Sequence, residues 1–220
     1  MRPWFSAAVL TSCLVLAAPC AQAQSARTDA EQASAADDPS QEWSLRATAA
    51  VYVLPDEGNY VQPTVAGDRG ALHLEARYNY EDRHSLSAFA GWNVEFGKAL
   101  TLQLTPMFGV VAGDTDGIIP ALEATLAWRR LALYSEGEYV VDLESRADRF
   151  LYNWSEASVS VTKWFRAGFA TQRTRAYNTP RDIQRGPLVG VNVSNIEATL
   201  YVFNPGSDER VVVTAIGVKF

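Results

Sequence analysis

The sequence has few of the residues that build disulfides and metal sites. It contains two cysteines and two histidines in 220 residues. Cys13 and Cys20 both fall in an N-terminal segment that we expect to be removed on export, so the rest of the chain has no thiol for a disulfide or a metal. His73 and His84 lack the spacing of a metal-binding motif. We therefore predict no metal site and no cofactor.

The sequence also lacks an excess of positive charge. Lys and Arg number 19 against 25 Asp and Glu, which gives a net charge of −6. Proteins that bind nucleic acid usually carry a basic patch, so we expect no nucleic acid partner. No glycine-rich loop follows a predicted strand, which argues against a nucleotide-binding fingerprint.

The long apolar run of the chain lies at the N-terminus. Met1 and Arg2 form a short positive start, residues 4–18 are mostly apolar, and Ala21-Gln22-Ala23 is a small-x-small motif. This order predicts a secretory signal peptide over residues 1–23, cleaved before Gln24. A membrane anchor is the alternative, but the run is short for a spanning helix and has no stop-transfer flank.

Residues 24–42, QSARTDAEQASAADDPSQE, lack apolar periodicity and carry five acids against Arg27. Such a segment cannot bury enough surface to order itself. We predict a disordered periplasmic leader, with a plug-like role as the alternative. Residues 43–220 then form one domain.

The segment ALHLEARYNY, residues 71–80, shows the pattern that dominates the rest of the chain. Leu72, Leu74, Ala76, Tyr78 and Tyr80 share one face of an extended strand, and polar residues share the other. A soluble sandwich would turn the apolar face toward a core, whereas a membrane barrel would turn it toward lipid.

Aromatic residues at the predicted strand ends favour the membrane barrel. We assign Trp43, Trp128, Trp164 and Phe220 to one rim and Tyr60, Tyr80, Tyr139 and Tyr152 to the other, as two aromatic girdles. A bilayer also forbids open sheet edges, so the strands must close. The prediction is an all-β, closed, antiparallel, transmembrane up-and-down barrel.

Twelve strands fit the alternation. The predicted spans are 43–54, 59–66, 71–81, 84–95, 98–111, 118–128, 130–142, 149–162, 164–175, 183–193, 195–204 and 210–220. The even number agrees with closure, and short turns alternate with longer, outward-facing loops. Span 59–66 is short and contains Pro63, so ten strands is the alternative count.

The last strand carries a resemblance to a known class of proteins. Its Val212, Thr214, Ile216, Val218 and terminal Phe220 share one face, which resembles the C-terminal signature of bacterial outer-membrane β-barrel proteins. The resemblance implies location in the outer membrane of a Gram-negative cell and recognition of this strand by the barrel-assembly machinery. HLEARYNYED and LYNWSE are also similar to stretches in uncharacterised outer-membrane proteins.

If the apolar faces contact lipid, the alternation also predicts which polar residues line the lumen. For the strand 149–162 the alternation does not decide which face points inward, and the inward position of Glu156 depends on that choice. The predicted inward residues are Arg46, His73, Glu75, Arg77, Gln103, Glu123, Glu136, Glu138, Glu156, Arg166, Gln172, Glu197, Tyr201 and Lys219.

Two interpretations of these charges stay open. In one, an acidic wall (Glu123, Glu136, Glu138, Glu156) faces a basic wall (Arg46, Arg77, Lys219) across a water-filled pore that selects small polar solutes. In the other, the same charges pair across a filled interior, because unpaired buried charges are costly. Small inward residues such as Ala50, Gly109, Gly168, Gly190 and Gly217 favour a cavity, so we expect a narrow porin-like channel.

Two further functions are weighed against the channel. A structural or lipopolysaccharide-interacting barrel is the first alternative, because Arg173, Arg175, Arg181 and Arg185 would lie at the outward rim, where guanidinium groups bind lipid phosphates. These arginines would otherwise pair with Asp142, Glu144 and Asp148. A lipid-modifying enzyme is less favoured, because His84, Ser85 and Asp82 are sequence neighbours and nothing else converges on them.

Overall fold

The computed structural model describes residues 42–55, 58–144, 149–176 and 182–220, with side chains described throughout except at 174–176 and 182. The predicted signal peptide, residues 24–41 of the predicted leader, Asp148 and Arg181 lie outside the described residues. No helix within the described ranges is long and apolar enough to cross a membrane.

The described chain is built almost entirely from β-strands. In chain order they are β1 (Ser44–Val53), β2 (Tyr60–Arg69), β3 (Leu72–Tyr78), β4 (Leu86–Trp92), β5 (Val94–Gly97), β6 (Leu100–Ala112), β7 (Gly117–Trp128), β8 (Leu131–Asp142), β9 (Phe150–Ser160), β10 (Phe165–Ala176), β11 (Asp182–Val193), β12 (Ile196–Phe203) and β13 (Val211–Lys219).

The strands form a closed antiparallel barrel. Apart from β4 and β5, which do not pair with each other, strands that are neighbours in sequence are paired, and β1 also pairs with β13, from Arg46 opposite Lys219 to Val53 opposite Val212. Strands β4 and β5 both pair with β6 and are separated only at Asn93, so together they form one barrel strand. The barrel therefore has twelve strands, which confirms the predicted fold and count.

The Asn93 side chain, at the interruption between β4 and β5, forms hydrogen bonds with β2 and β6. The Asn93 amide donates to Asp68 Oδ1 (2.6 Å), and its oxygen accepts from the Thr105 hydroxyl (2.7 Å). The predicted weak strand around Pro63 does form, as β2, with Pro63 exposed and opposite Ala49 of β1.

The barrel has the reverse polarity of a soluble protein. In β3, His73, Glu75 and Arg77 are buried, whereas the side chains of Leu74 and Tyr78 are 41% and 40% exposed. The same alternation continues around the barrel, so leucines, valines and aromatic residues form an exposed belt. An exposed apolar belt around a polar interior is the arrangement that a bilayer stabilises.

The two predicted aromatic girdles have different outcomes. Trp43, Trp128, Trp164 and Phe220 are all exposed near one rim of the barrel, as expected. At the other rim, Tyr139 is exposed, but the expectation is wrong for three tyrosines. Tyr80 and Tyr152 are fully buried and Tyr60 stacks on buried Tyr52, so these residues pack inside the barrel.

Backbone geometry explains the position of Tyr80. Strand β3 ends at Tyr78, and Asn79 adopts a left-handed conformation with φ of 55°. Asparagine tolerates this conformation better than most residues. The change of backbone direction breaks the alternation, so Tyr80 points inward although it shares the parity of outward-facing Tyr78.

Candidate functional site: the charged interior

Arg77 is the centre of the first interior cluster. Its guanidinium is fully buried, and Nη2 lies 2.8 Å from Glu136 Oε1. It also forms ion pairs with Glu75 and Glu138, while Glu123 (3.8 Å) and Glu81 (3.9 Å) lie just beyond hydrogen-bond range. We refer to Arg77 and these five glutamates as the Arg77 cluster.

The strand register brings two carboxylates together, and Arg77 compensates their charge. Glu123 of β7 lies directly opposite Glu136 of β8, and like charges in such a pair repel each other. Arg77, from β3 on the other side of the barrel, supplies the missing positive charge. The phenols of Tyr80 and Tyr134 also donate to Glu136 Oε2, at 2.9 and 3.1 Å.

Aromatic rings support the same guanidinium. The Arg77 Cζ atom lies 4.0 Å from the ring centroid of Tyr80 and 4.4 Å from that of Phe89. These are cation–π distances, and such contacts gain strength when water is excluded.

The charged groups continue from the Arg77 cluster toward the rim that carries the chain ends. His73 Nε2 is 3.3 Å from Glu75, and its Nδ1 is 2.8 Å from Asp68. Arg46 lies 3.8 Å from Asp68, and both of these side chains are partly exposed. Ionisable side chains therefore extend from a partly open rim to the buried centre.

Arg166 forms a second, separate cluster. Its guanidinium contacts Glu156 (3.0 Å), Glu197 (3.2 Å) and the Thr199 hydroxyl (2.9 Å). Glu156 also accepts hydrogen bonds from Trp154 Nε1 (2.9 Å) and the Tyr201 hydroxyl (2.7 Å). Glu156 is thus buried and fully engaged, which resolves the ambiguous phase of its strand.

Glycine at position 190 leaves room for the second cluster. A Cβ atom there would lie 2.8 Å from Arg166 Nε and 2.9 Å from its Cγ. Arg166 is directly opposite Gly190 in the β10–β11 register. The Arg166 side chain therefore lies over the Gly190 backbone.

A layer of aromatic side chains fills the other half of the interior. Tyr52 stacks on Tyr60 with ring centroids 4.7 Å apart, and Trp154 packs edge-on against Tyr201 and Phe203 at 5.2 Å. Tyr52, Trp154, Tyr201 and Phe203 are 0% exposed. Water does not reach this layer in the described conformation.

These contacts revise the expected layout of the lumen charges. The acidic and basic walls are not separated, because Arg77 pairs with the acids of β8 across the interior. Nor do the small inward residues leave an open cavity in this conformation, since Phe89 covers Gly109 and Arg166 covers Gly190. The paired, filled arrangement therefore describes both clusters.

The remaining predicted inward residues lie around the clusters. Glu123 and Gln172 are buried, whereas Gln103 and Lys219 are partly exposed. Sequence reasoning missed Asp68, Glu81, Tyr134 and Trp154 as interior groups. Tyr134 is two residues from Glu136 on the same strand, so the alternation of side chains indicates that Tyr134 also points inward. Glu81 lies in a loop, where side chains do not alternate between two faces.

The predicted arginine group is only partly described. Arg173 and Arg185 are diagonal neighbours on β10 and β11, because Arg173 is opposite Ile183 and Thr171 is opposite Arg185. By the alternation of their strands, both side chains point outward, near the strand ends that residues 177–181 connect. Neither forms an ion pair with Asp142 or Glu144 in the described part of the chain. The Arg175 side chain lies outside the described residues.

His84 does not form a catalytic arrangement with Ser85. Its exposed Nδ1 is 3.1 Å from Asp114, whereas the buried Ser85 hydroxyl accepts from the Thr115 amide at 3.1 Å. Among the described residues, no group of three or more His, Cys, Asp or Glu side chains is arranged to hold a metal ion.

Comparison with solved structures adds a fold likeness. A KdgM porin superposes with a TM-score of 0.58 at 12% identity, covering 80% of this chain and 98% of the porin. The fold is porin-like. The same figures hold for a KdgM porin in complex with disordered oligogalacturonate. Omp33 of Acinetobacter baumannii is also similar, with a TM-score of 0.46, 12% identity and coverage of 82% and 98%.

Comparison by sequence gives no further relative. Neither protein families nor curated proteins yield a match. At 12% identity the likeness to the KdgM porin concerns the path of the backbone. The interior side chains of this chain must therefore be interpreted from their own contacts.

Proposed function

We propose that the chain is a bacterial outer-membrane β-barrel that passes small polar solutes as a narrow porin-like channel. The observation that carries this proposal is the line of ionisable side chains along β3. It begins at Asp68 of β2 near one rim, passes His73, Glu75 and Arg77 of β3, and reaches Glu81 in the loop at the opposite end.

Burying so many charges is expensive, so they are rarely kept without a use. Ionisable residues within a membrane-spanning structure usually mark a path for ions or solutes. An apolar filling of the same volume would stabilise the barrel as well or better. The side of the lumen along β3 is thus the proposed solute path, with the aromatic layer filling the other side.

The charge balance suggests the class of solute. Five glutamates approach Arg77, so the path carries an excess of potential negative charge. Such a path attracts cations and repels anions. We therefore propose neutral or positively charged polar solutes, in contrast to the acidic oligogalacturonate present with the KdgM porin.

Export and assembly are part of the same proposal. Residues 1–23 act as the cleaved export signal. Ile216, Val218 and Phe220 are read by the barrel-assembly machinery, a role supported by their outward position on the strand that closes the barrel. Contact with outer-membrane lipid follows from the exposed apolar belt.

Planar-bilayer recording of the refolded protein tests the channel. We expect discrete conductance steps with a preference for cations. Changing both Glu136 and Glu138 to Gln should lower that preference in reversal-potential measurements, because fewer fixed charges then attract cations.

The exposed outer-loop acid Glu209 provides the matched control, and Glu209→Gln should leave selectivity unchanged. Folded protein that never conducts over a wide voltage range would exclude the channel. Conductance with unaltered selectivity in the double variant would place these carboxylates outside the solute path.

A structural, lipopolysaccharide-binding barrel is the second candidate. The fully buried layer of Tyr52, Trp154, Tyr201 and Phe203 favours it, because this layer closes much of the lumen. The outward parity of Arg173 and Arg185 near the loop end places two positive charges where lipid phosphates lie. Two neighbouring guanidinium groups that have no acidic partner among the described residues suit a multiply charged anion.

A further inference from the structure

The loop between β3 and β4, residues 79–85, folds into the mouth of the barrel. Tyr80 and Glu81 are both buried, at 1% and 0% exposure, although they belong to a loop. The Tyr80 hydroxyl donates to Glu136 in the Arg77 cluster. We call Tyr80 and Glu81 the latch, since Tyr80 attaches this loop to the opposite wall and Glu81 is buried beside it.

The rest of the loop points away from the cluster. Asp82 accepts from the Thr115 hydroxyl (3.0 Å), Arg83 lies over the Tyr60 ring, and His84 faces Asp114. The charged groups that face Glu81 are therefore Arg77 of β3 and Glu136 and Glu138 of β8.

Glu81 is poorly satisfied as an anion. Neither of its carboxylate oxygens has a well-formed hydrogen bond within the described part of the chain, although the Ser87 hydroxyl lies near enough to lower the pKa of this carboxyl. Its nearest cation is Arg77 Nη1, at 3.9 Å, and that guanidinium is already paired with Glu75, Glu136 and Glu138. An ionised carboxylate with so little support is costly to bury.

The Arg77 cluster as a whole has an excess of carboxylates over cationic side chains. Five carboxylates surround one guanidinium, and among the described residues only Glu75 forms an ion pair with a second cationic side chain, His73. A cation must compensate the excess if the interior stays closed. A proton can do so, because protonation of a carboxylate removes its charge without requiring space for another group.

We propose that the latch is a proton-linked gate: protonated Glu81 holds loop 79–85 closed over the solute path, and its deprotonation releases the loop. This inference rests on the proposed channel function. Glu81 is the sensor, because as a loop residue it can leave the interior without disrupting a strand.

The direction of the pH effect follows from linkage. Burial raises the pKa of Glu81 to about 7, well above that of a carboxyl in water. The closed state therefore binds the proton more tightly than an open, hydrated state does. Acid favours closure, and the closed state loses its advantage as pH rises through about 7.

Two experiments on the refolded full-length chain test the gate. In planar bilayers, the open probability should increase as pH rises from 5, by up to about tenfold per pH unit for each proton released, and should level off above a pH of about 7. Glu81→Gln, which is permanently neutral, should keep the channel closed and remove this dependence. The exposed Glu209→Gln control should behave as wild type.

Thiol labelling reports the loop without requiring conductance. Cys13 and Cys20 are replaced by serine, and Val140→Cys places a buried thiol on the inward face of β8, two residues from Glu138. Its labelling by a water-soluble maleimide, relative to exposed Ser207→Cys, should increase with pH, and Glu81→Gln should flatten that increase.

The outcomes separate the gate from the channel. Labelling that rises with pH in a protein that never conducts supports the gate movement and excludes the channel. Conductance that changes neither with pH nor with Glu81→Gln, together with Val140→Cys labelling that is constant with pH, overturns the gate and leaves the channel standing.

Discussion

At the scale of single residues, Arg77 determines how the interior is held together. Its guanidinium lies among carboxylates from β3, β7, β8 and the 79–85 loop. No other cation approaches Glu136 or Glu138 in the described part of the chain. Removing one partner of a buried ion pair leaves the other uncompensated, which costs far more than the pair itself contributes.

Replacing Arg77 with methionine should therefore destabilise the barrel strongly at neutral pH, by about 3–5 kcal/mol. The loss should shrink at acid pH, because the abandoned carboxylates then become protonated and neutral. Urea unfolding in detergent, followed by tryptophan fluorescence at pH 5 and pH 8, measures the difference. The exposed Arg210→Gln serves as control, and a loss of equal size at both pH values would contradict this account.

At the scale of elements, the seam between β1 and β13 completes the barrel. Eight residue pairs join the strands, and the Phe220 amide adds a hydrogen bond to the Leu45 carbonyl at 2.9 Å. Phe220 itself is 76% exposed at the rim with Trp43, Trp128 and Trp164. An aromatic ring there belongs to the interface, where its amphipathic surface is favoured.

Changing Phe220 to Asp should sharply reduce assembly into the outer membrane. A charge at the rim end of the closing strand opposes insertion, and we expect recognition of the strand to be lost as well. Heat-modifiable electrophoretic mobility of membrane fractions measures assembled protein. Phe220→Tyr, which keeps the ring, should assemble normally. Assembly of Phe220→Asp at wild-type levels would show that the terminal residue carries no signal.

At the scale of the whole molecule, the barrel has two chemically different rims. The rim with the short turns carries exposed tryptophans and Phe220, while Arg173 and Arg185 lie toward the opposite rim with no acidic partner among the described residues. A ligand that binds only the folded barrel raises its unfolding temperature, by an amount set by its affinity and concentration.

Lipopolysaccharide should therefore raise the unfolding temperature of the wild-type barrel. At about 100 times its Kd such a ligand contributes about 2.7 kcal/mol. The double change Arg173→Gln and Arg185→Gln should abolish most of the shift and leave stability in plain detergent nearly unchanged. Arg129→Gln with Arg130→Gln removes equal charge at the opposite rim and should keep the shift. Equal shifts in all three proteins would exclude this phosphate site.

The alternation of the sequence by itself determined the barrel. A side-chain period of two requires no knowledge of distant residues, so it predicted twelve strands, the orientation of His73, Glu75 and Arg77, and the placement of Trp128 and Phe220. The interruption at Asn93 was not predicted, and its side-chain contacts with Asp68 and Thr105 join residues that are distant in sequence.

Only the tertiary structure decided what the interior does with its charges. Parity states that Arg77 and Glu136 point inward, but not that they meet, because their separation depends on the barrel diameter and on side-chain reach. The inward turn of Tyr80 and Glu81 depends on the left-handed backbone at Asn79, which ends the alternation. The latch therefore lies in a segment whose side-chain directions cannot be predicted from alternation, because they depend on contacts across the barrel.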